Sequence, residues 1–305
     1  MSRIESSARV LAAVALAGVA LLASPAFGAQ LKYQSVDYPG ATATEVFAVN
    51  DLRQYVGAER ESDGTHYALL NEGAGFNRID LSALGAIQSW AYSINSMTDV
   101  AGTFIDAGGV SHGYVHHADG SIETIDFPGG NNTQGYGVND RGTVIGLYND
   151  DAGVPHAYAR IKGRFMNIDI PGGIATTPLS VNDSNEIVGG FQKTPDTVGY
   201  GFVRDASGHV TLHQAPGSPD QSTFFISANN RGGVLGTWQD ADGNYVNFLR
   251  KQAKYYPVDL PASFESSFTS AQTINDRSDI VGYYVGPDGI VHGWTGWAKN
   301  SLLGR

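Results

Sequence analysis

Six tandem copies of one motif constrain this chain more than any other property it has. Each copy opens a turn with an Asn and places a Gly seven residues later: Asn50/Gly57, Asn95/Gly102, Asn139/Gly146, Asn182/Gly189, Asn229/Gly236 and Asn275/Gly282. The Asn to Asn steps are 45, 44, 43, 47 and 46 residues, a period shared by propeller blades and paired-helix solenoids. Local pattern separates the two. Every copy holds four short runs rich in Val, Ile, Tyr, Phe and Trp, split by Gly, Asp, Asn and Pro clusters, and none keeps helical spacing over a helical length. The unit is four strands, a to d, so the sequence predicts an all-β, six-bladed β-propeller of four-stranded antiparallel blades.

The motif also predicts how the ring closes. Runs of the form IDFPG (125–129), IDIPG (168–172) and VDLPA (258–262) end the copies, with weaker versions at Ile79-Asp80-Leu81 and 212–217. The sixth copy has no such run, but VDYPG stands at 36–40, ahead of the first. Pairing Tyr33–Tyr38 with His292–Trp297 would complete the last blade and leave no exposed sheet edge.

Rows of equivalent residues fit packed blades. Two residues after each Gly come Glu59, Phe104, Tyr148, Phe191, Trp238 and Tyr284; two after a recurring His position come Ala68, Tyr114, Tyr158, Phe202, Phe248 and Trp294. Five of six are aromatic in both rows, as knobs between stacked sheets require. Two residues before each Asn stand Ala48, Ser93, Gly137, Ser180, Ser227 and Thr273, all small, where inner strands converge. The INDxGxIVG run, the His-small-aromatic triplet and the IDxPG end resemble the extracellular HAF-repeat family of bacterial secreted proteins, though the triplets here are HYA, HGY, HAY, YGF, VNF and HGW. The resemblance implies an exported propeller and assigns no activity.

Composition bounds the setting. Residues 1–29 read as a signal peptide: Arg3 and Arg9 flank Glu5, Val10–Ala23 is apolar and uncharged, and small residues follow. Residues 30–305 are then a single propeller domain, secreted or periplasmic, monomeric and without a membrane span. Without the leader the chain carries 17 Lys+Arg against 29 Asp+Glu, a net charge of −12, so nucleic acid is excluded as a partner. No cysteine is present, which removes disulfides and thiol chemistry.

Candidate functional residues fall into three groups. His66, His112, His156 and His292, with Asp37, Asp80, Asp126, Asp169 and Asp259, repeat from copy to copy and read as structural hydrogen-bonding pairs. Acidic turns such as Asp240/Asp242/Asn244 have the oxygen spacing of a short calcium loop, but Lys251 holds the twelfth position where an EF-hand needs Glu, so no cofactor is assigned and calcium stays a secondary expectation. Function is sought where copies differ. Five residues before each Asn stand Glu45, Trp90, Gln134, Thr177, Phe224 and Ser270, with Asn131 and Asn132 in a preceding loop. Rings beside amides and hydroxyls at a channel mouth suit a glycan or another hydroxyl-rich envelope component. The alternative is a propeller hydrolase, lyase or lactonase using Glu45 with Asp220 or Glu265 as paired carboxylates. No G-x-S-x-G, HExxH or P-loop occurs.

Overall fold

The computed structural model describes residues 31–298, except 196–198, 217–221, 241 and 243. The leader call, residues 1–29, therefore lies outside the described residues. β1 spans Leu31–Val36. Repeat one supplies β2–β5 (Ala43–Val49, Tyr55–Arg60, His66–Asn71, Phe76–Arg78) and repeat two β6–β9 (Ala86–Ile94, Val100–Asp106, Ser111–His116, Ile122–Ile125). Repeat three gives β10–β13 (Asn131–Val138, Val144–Asn149, Pro155–Ile161, Arg164–Asn167) and repeat four β14–β17 (Ala175–Val181, Ile187–Gln192, Tyr200–Arg204, Val210–His213). Repeat five gives β18–β21 (Thr223–Ala228, Gly233–Gln239, Tyr245–Lys251, Lys254–Pro257); repeat six gives β22–β24 (Phe268–Ile274, Ile280–Val285, Val291–Ala298).

Repeats two to five each form a separate four-stranded antiparallel sheet in sequence order. The remaining eight strands form one sheet, which departs from the expectation of six separate blades. Its two halves, β2–β5 and β22–β24 with β1, meet through a single parallel bridge at Ala43 and Val291. As expected, the first strand runs antiparallel to the last, Leu31 opposite Ala298 and Val36 opposite Gly293. The Asp of each Ile-Asp pair lies just beyond the end of its outer strand, not within it, because the chain is already turning toward the next repeat there.

Apolar side chains gather in clusters between consecutive repeats. Tyr148 and Tyr158 of repeat three pack with Ala101, Val115 and Ile125 of repeat two. Tyr284 and Trp294 of repeat six pack with Leu235 and Leu249 of repeat five. Val281 of repeat six packs with Val46 and Val49 of repeat one. Each fully buried ring contributes about 2 kcal/mol by area, which explains why the two aromatic rows recur.

The recurring Gly has a cause that the sequence does not display. Each inner strand carries a β-bulge at the same place, between Val46 and Ala48 in repeat one and at the matching site in the other five. The bulge drives one inner-strand carbonyl onto the neighbouring strand. A Cβ on Gly57, Gly102, Gly146, Gly189, Gly236 or Gly282 would stand closer than 3.0 Å to the carbonyl oxygen of Glu45, Trp90, Gln134, Thr177, Phe224 or Ser270 respectively. Only a residue without a side chain fits. In repeats two and three the same carbonyl also accepts a hydrogen bond from a buried tyrosine, Tyr114 to Trp90 and Tyr158 to Gln134, both 3.1 Å.

At the other end of the inner strands the Asn turns are tied to one another. Asn139 Oδ1 accepts the N–H groups of Arg141 and Thr143, closing its own turn, while its Nδ2 donates to Asn182 O at 2.8 Å. Asn50 donates likewise to Asn95 O, Asn95 to Asn139 O and Asn229 to Asn275 O. Asn275 then donates to Asn50 O at 2.9 Å, which ties the sixth turn to the first. The residue after the Asn works across repeats too: Asp140, Asp183, Asn230, Asp276 and Asp51 each accept a backbone N–H from the preceding turn. These turns are structural, as the sequence implies, but they bind neighbouring repeats as well as themselves.

Candidate functional site

The row of unlike residues occupies one level on the inner strands. Glu45 lies opposite Ala58, Trp90 opposite Thr103, Gln134 opposite Leu147, Thr177 opposite Gly190 and Phe224 opposite Thr237. All five are half-buried and alternate with fully buried neighbours, so they share the less enclosed face of their strands. Two residues further along, Phe47 meets Tyr92 at a tilt and Tyr92 meets Tyr136 edge to face, with ring centroids 5.2 and 5.4 Å apart, and the three form an aromatic belt beside the row.

Individual members differ in how free they are. Trp90 lies against His66 of the preceding repeat at 5.2 Å, and Phe224 fills the space over Gly190 and Gly199. Gln134 accepts a hydrogen bond from Tyr136. Asn132, at φ 51°, spends its Oδ1 on the N–H of Ser111, so it positions two repeats. Asn131 is exposed and pairs with Asn149. Among the described residues no hydrogen bond, ion pair or ring contact joins two of the seven candidates; what they share is a level, not a contact.

Glu45 stands apart electrostatically. Burial pushes its carboxyl up to about 7, with Arg60 opposing, and no carboxylate among the described residues couples to it. Its charge in turn helps burial hold the Tyr92 and Tyr283 hydroxyls un-ionised. The folded state therefore binds a proton that the unfolded chain has released, so this residue lowers stability as pH climbs from about 4.5 to about 7. We expect Glu45→Gln to be more stable than the parent by about 1–2 kcal/mol at pH 8, a figure reduced for partial solvent contact, and equal to it below pH 4.5. Urea titrations across that range check both halves; a constant difference would show that Glu45 does not titrate there.

The repeated histidines are structural, as expected. His112 Nδ1 meets Asp126 at 2.9 Å, His156 meets Asp169 at 2.6 Å and His292 meets Asp37 at 2.9 Å. Each imidazole reaches a second carboxylate from the neighbouring turn, Asp106, Asp150 or Asp288, and stacks on Phe104, Tyr148 or Tyr284. The Asp169 hydrogen bond holds the His156 imidazole above its ordinary value. Asp37, carried on the first strand's end, serves the last repeat. The paired His116 and His117 do not share a ligand: His117 bonds Asp99 at 3.1 Å, while His116 Nδ1 has no such partner.

Repeat one breaks this pattern and corrects the sequence alignment. Gly57 lies opposite Leu69, and Glu59 opposite Tyr67, whereas Gly102 lies opposite Tyr114 and Phe104 opposite His112. The residues equivalent to His112 and Tyr114 are thus Tyr67 and the buried Leu69, not His66 and Ala68, because Tyr67 stands ten residues after Gly57 as His112 does after Gly102, whereas His66 stands only nine after it. Glu59, only 1% exposed, replaces the stacking ring. Arg78 compensates: its guanidinium lies over Tyr67 at 4.2 Å and pairs with both Glu59 and Glu61. Asp80, the counterpart of Asp126, has no imidazole to hold, and a 3-10 turn at Ser82–Leu84 replaces the Pro-Gly end. A cavity of about 240 Å³ opens there, lined by Tyr67, Arg78, Asp80, Ser82 and Gln88. Sequence reasoning missed it, although Glu59 in an aromatic row and the degraded motif at 79–81 were the visible signals.

The acidic turn proposed for calcium is self-satisfied. Asp240 Oδ1 accepts the N–H groups of Asp242 and Asn244, and Oδ2 accepts from Asn244 Nδ2, as Asp106 and Asp150 do for their own turns. Among the described residues no group of three or more His, Asp or Glu is placed to hold a metal ion. Nor is any helix there long and apolar enough to cross a membrane.

No family model matches the chain, and no curated protein matches it. Solved structures do. The fungal lectin of Aleuria aurantia, described as a six-bladed beta-propeller with a novel fucose recognition mode, is 12% identical, with TM-score 0.51 over 88% of this chain and 94% of that one. TolB from Acinetobacter baumannii is 12% identical, with TM-score 0.56 over 86% of this chain and 65% of that one. AofleA from Arthrobotrys oligospora is 13% identical, with TM-score 0.51 over 87% and 86%. The fold is a β-propeller. At such identities the likeness extends to the architecture of four-stranded blades and no further.

Proposed function

We propose that this protein is an exported carbohydrate-binding propeller of the HAF-repeat kind, a closed ring of six blades acting in the periplasm or outside the cell as a monomer. The eight-stranded sheet then counts as two blades, with β1 as the fourth strand of the last. Support for six comes from the bond that ties the sixth Asn turn to the first and from the apolar cluster shared by repeats six and one. The ligand is a neutral glycan or another hydroxyl-rich envelope component, held at the channel mouth by Trp90, Phe224, Gln134, Thr177, Asn131, Asn132 and Glu45.

One observation carries this reading. A structurally equivalent inner-strand row in which the repeats all differ has five half-buried members at one level, with Ser270 buried, and mixes rings with amides and hydroxyls beside an aromatic belt. Such a wall binds sugars by stacking and by neutral hydrogen bonds. Lectins held with fucosylated sugar are among the solved propellers that this chain resembles in fold. A hydrolase, lyase or lactonase would draw on the raised carboxyl of Glu45, but it needs a second acid nearby. Glu265 is exposed at the end of a 3-10 turn, and Asp220 lies outside the described residues.

A glycan array probed with the exported chain tests the proposal. At least one neutral glycan should bind, and Trp90→Ala or Phe224→Ala should weaken that binding ten-fold or more. A blank array, or affinity untouched by both substitutions, would sink it. Extended dialysis against a chelator should leave binding intact; its loss would return calcium to the site.

A further inference from the structure

We propose that the cavity between repeats one and two is a second ligand site, built for a single neutral sugar ring. The ligand class rests on the reading of the protein as a carbohydrate binder; the location does not. Repeats two, three and six close the corresponding place with an aromatic ring, an imidazole and two carboxylates. Repeat one has given up all of those contacts.

The loss is specific and leaves functional groups facing open space. In repeat three, Asp169 accepts the N–H of Ala157 at 2.7 Å as well as bonding His156. In repeat one the equivalent N–H, that of Ala68, goes instead to Ser89 Oγ of the next repeat at 2.9 Å. Asp80 is thereby released, and its carboxylate serves only Ser82 of its own loop, accepting from that residue's N–H and hydroxyl. Gln88, which also bonds the His66 side chain, lines the same cavity, as does Arg78 lying over Tyr67. Ile79 and Leu81, 6% and 3% exposed, add apolar lining.

Charge and size select the ligand. Arg78 is already matched by Glu59 and Glu61, so it offers no spare positive charge, and the Asp80 carboxylate on the lining repels phosphate, sulfate and uronate groups. A volume of about 240 Å³ falls below that of a drug-sized pocket and suits one ring. A lining that combines apolar residues with a carboxylate and an amide suits the C–H face and hydroxyl edge of a pyranose, the carboxylate accepting from adjacent hydroxyls.

Saturation-transfer NMR on the exported full chain, with a panel of free neutral monosaccharides and their methyl glycosides, tests the site. At least one sugar should give a signal that Trp90→Ala leaves in place. Asp80→Ala, which removes an exposed carboxylate bonded only within its loop, should weaken that sugar at least ten-fold. Ser82→Trp, which fills the cavity from its rim, should abolish the signal; circular dichroism of both variants establishes that the fold is kept. Binding unchanged by Asp80→Ala and Ser82→Trp overturns the second site and leaves the channel-mouth reading standing. Silence of the whole panel with the unmodified chain overturns the carbohydrate reading itself.

Discussion

Gly146→Ala should cost about 4 kcal/mol or more, a large share of the stability of a typical folded domain. The added carbon meets the carbonyl oxygen of Gln134 head on and the ring of Tyr158 beside it. Backbone cannot yield there without undoing the bulge that sets the register of the inner strand. Ordinary overpacking of a core costs about 1–3 kcal/mol because side chains can shift, and here the obstacle is main chain. A control separates this cause from glycine's conformational freedom. Gly142 has φ 69° with nothing near its missing Cβ, so Gly142→Ala should cost only about 1 kcal/mol. Urea denaturation of the two variants side by side decides it: equal losses would mean that the bulge tolerates a methyl group.

Removing the Arg53 guanidinium should destabilise the protein by about 2–3 kcal/mol. Asp279 of repeat six is fully buried, and Arg53 of repeat one approaches it with two bonds of 3.0 Å. Stripping the partner from a buried charge costs about 3–5 kcal/mol in general. The lower figure allows for Arg53 being 35% exposed and for the N–H of Ala298, 2.8 Å away, remaining in place. Part of the loss is packing, since the guanidinium also covers Trp297 at 5.0 Å. Arg53→Met combined with Asp279→Asn should therefore recover about half of what Arg53→Met loses alone, because the orphaned charge goes too. Additive losses in that double-mutant cycle would show that the pair does not couple the first and last repeats.

The repeat pitch, the four-strand unit and the partnership of the first and last strands were legible because each is written in residues of one type at fixed spacing. The cause of the marker Gly was not, since it depends on a carbonyl that a bulge brings across from another strand. Repeat one shows where matching by residue type fails. His66 is one residue nearer its Gly than the other histidines are to theirs, and Tyr67 holds the equivalent place, as the cross-strand pairing makes plain. For the site, the unlike row could be found from sequence, because difference among equivalents is a sequence property. The proton held by Glu45 and the room beside Asp80 could not: one needs the surroundings of a carboxyl, the other the shape left when a neighbour withdraws.

Leu31 and Ala298 sit across from each other on adjoining strands. Any extension joined at either terminus must then depart from the same spot on the rim. An anchor, tag or fused partner added before the first residue of that pair would therefore sit beside one added after the second. Joining the two points with a short linker and opening the chain elsewhere should yield a permuted protein with the same shape.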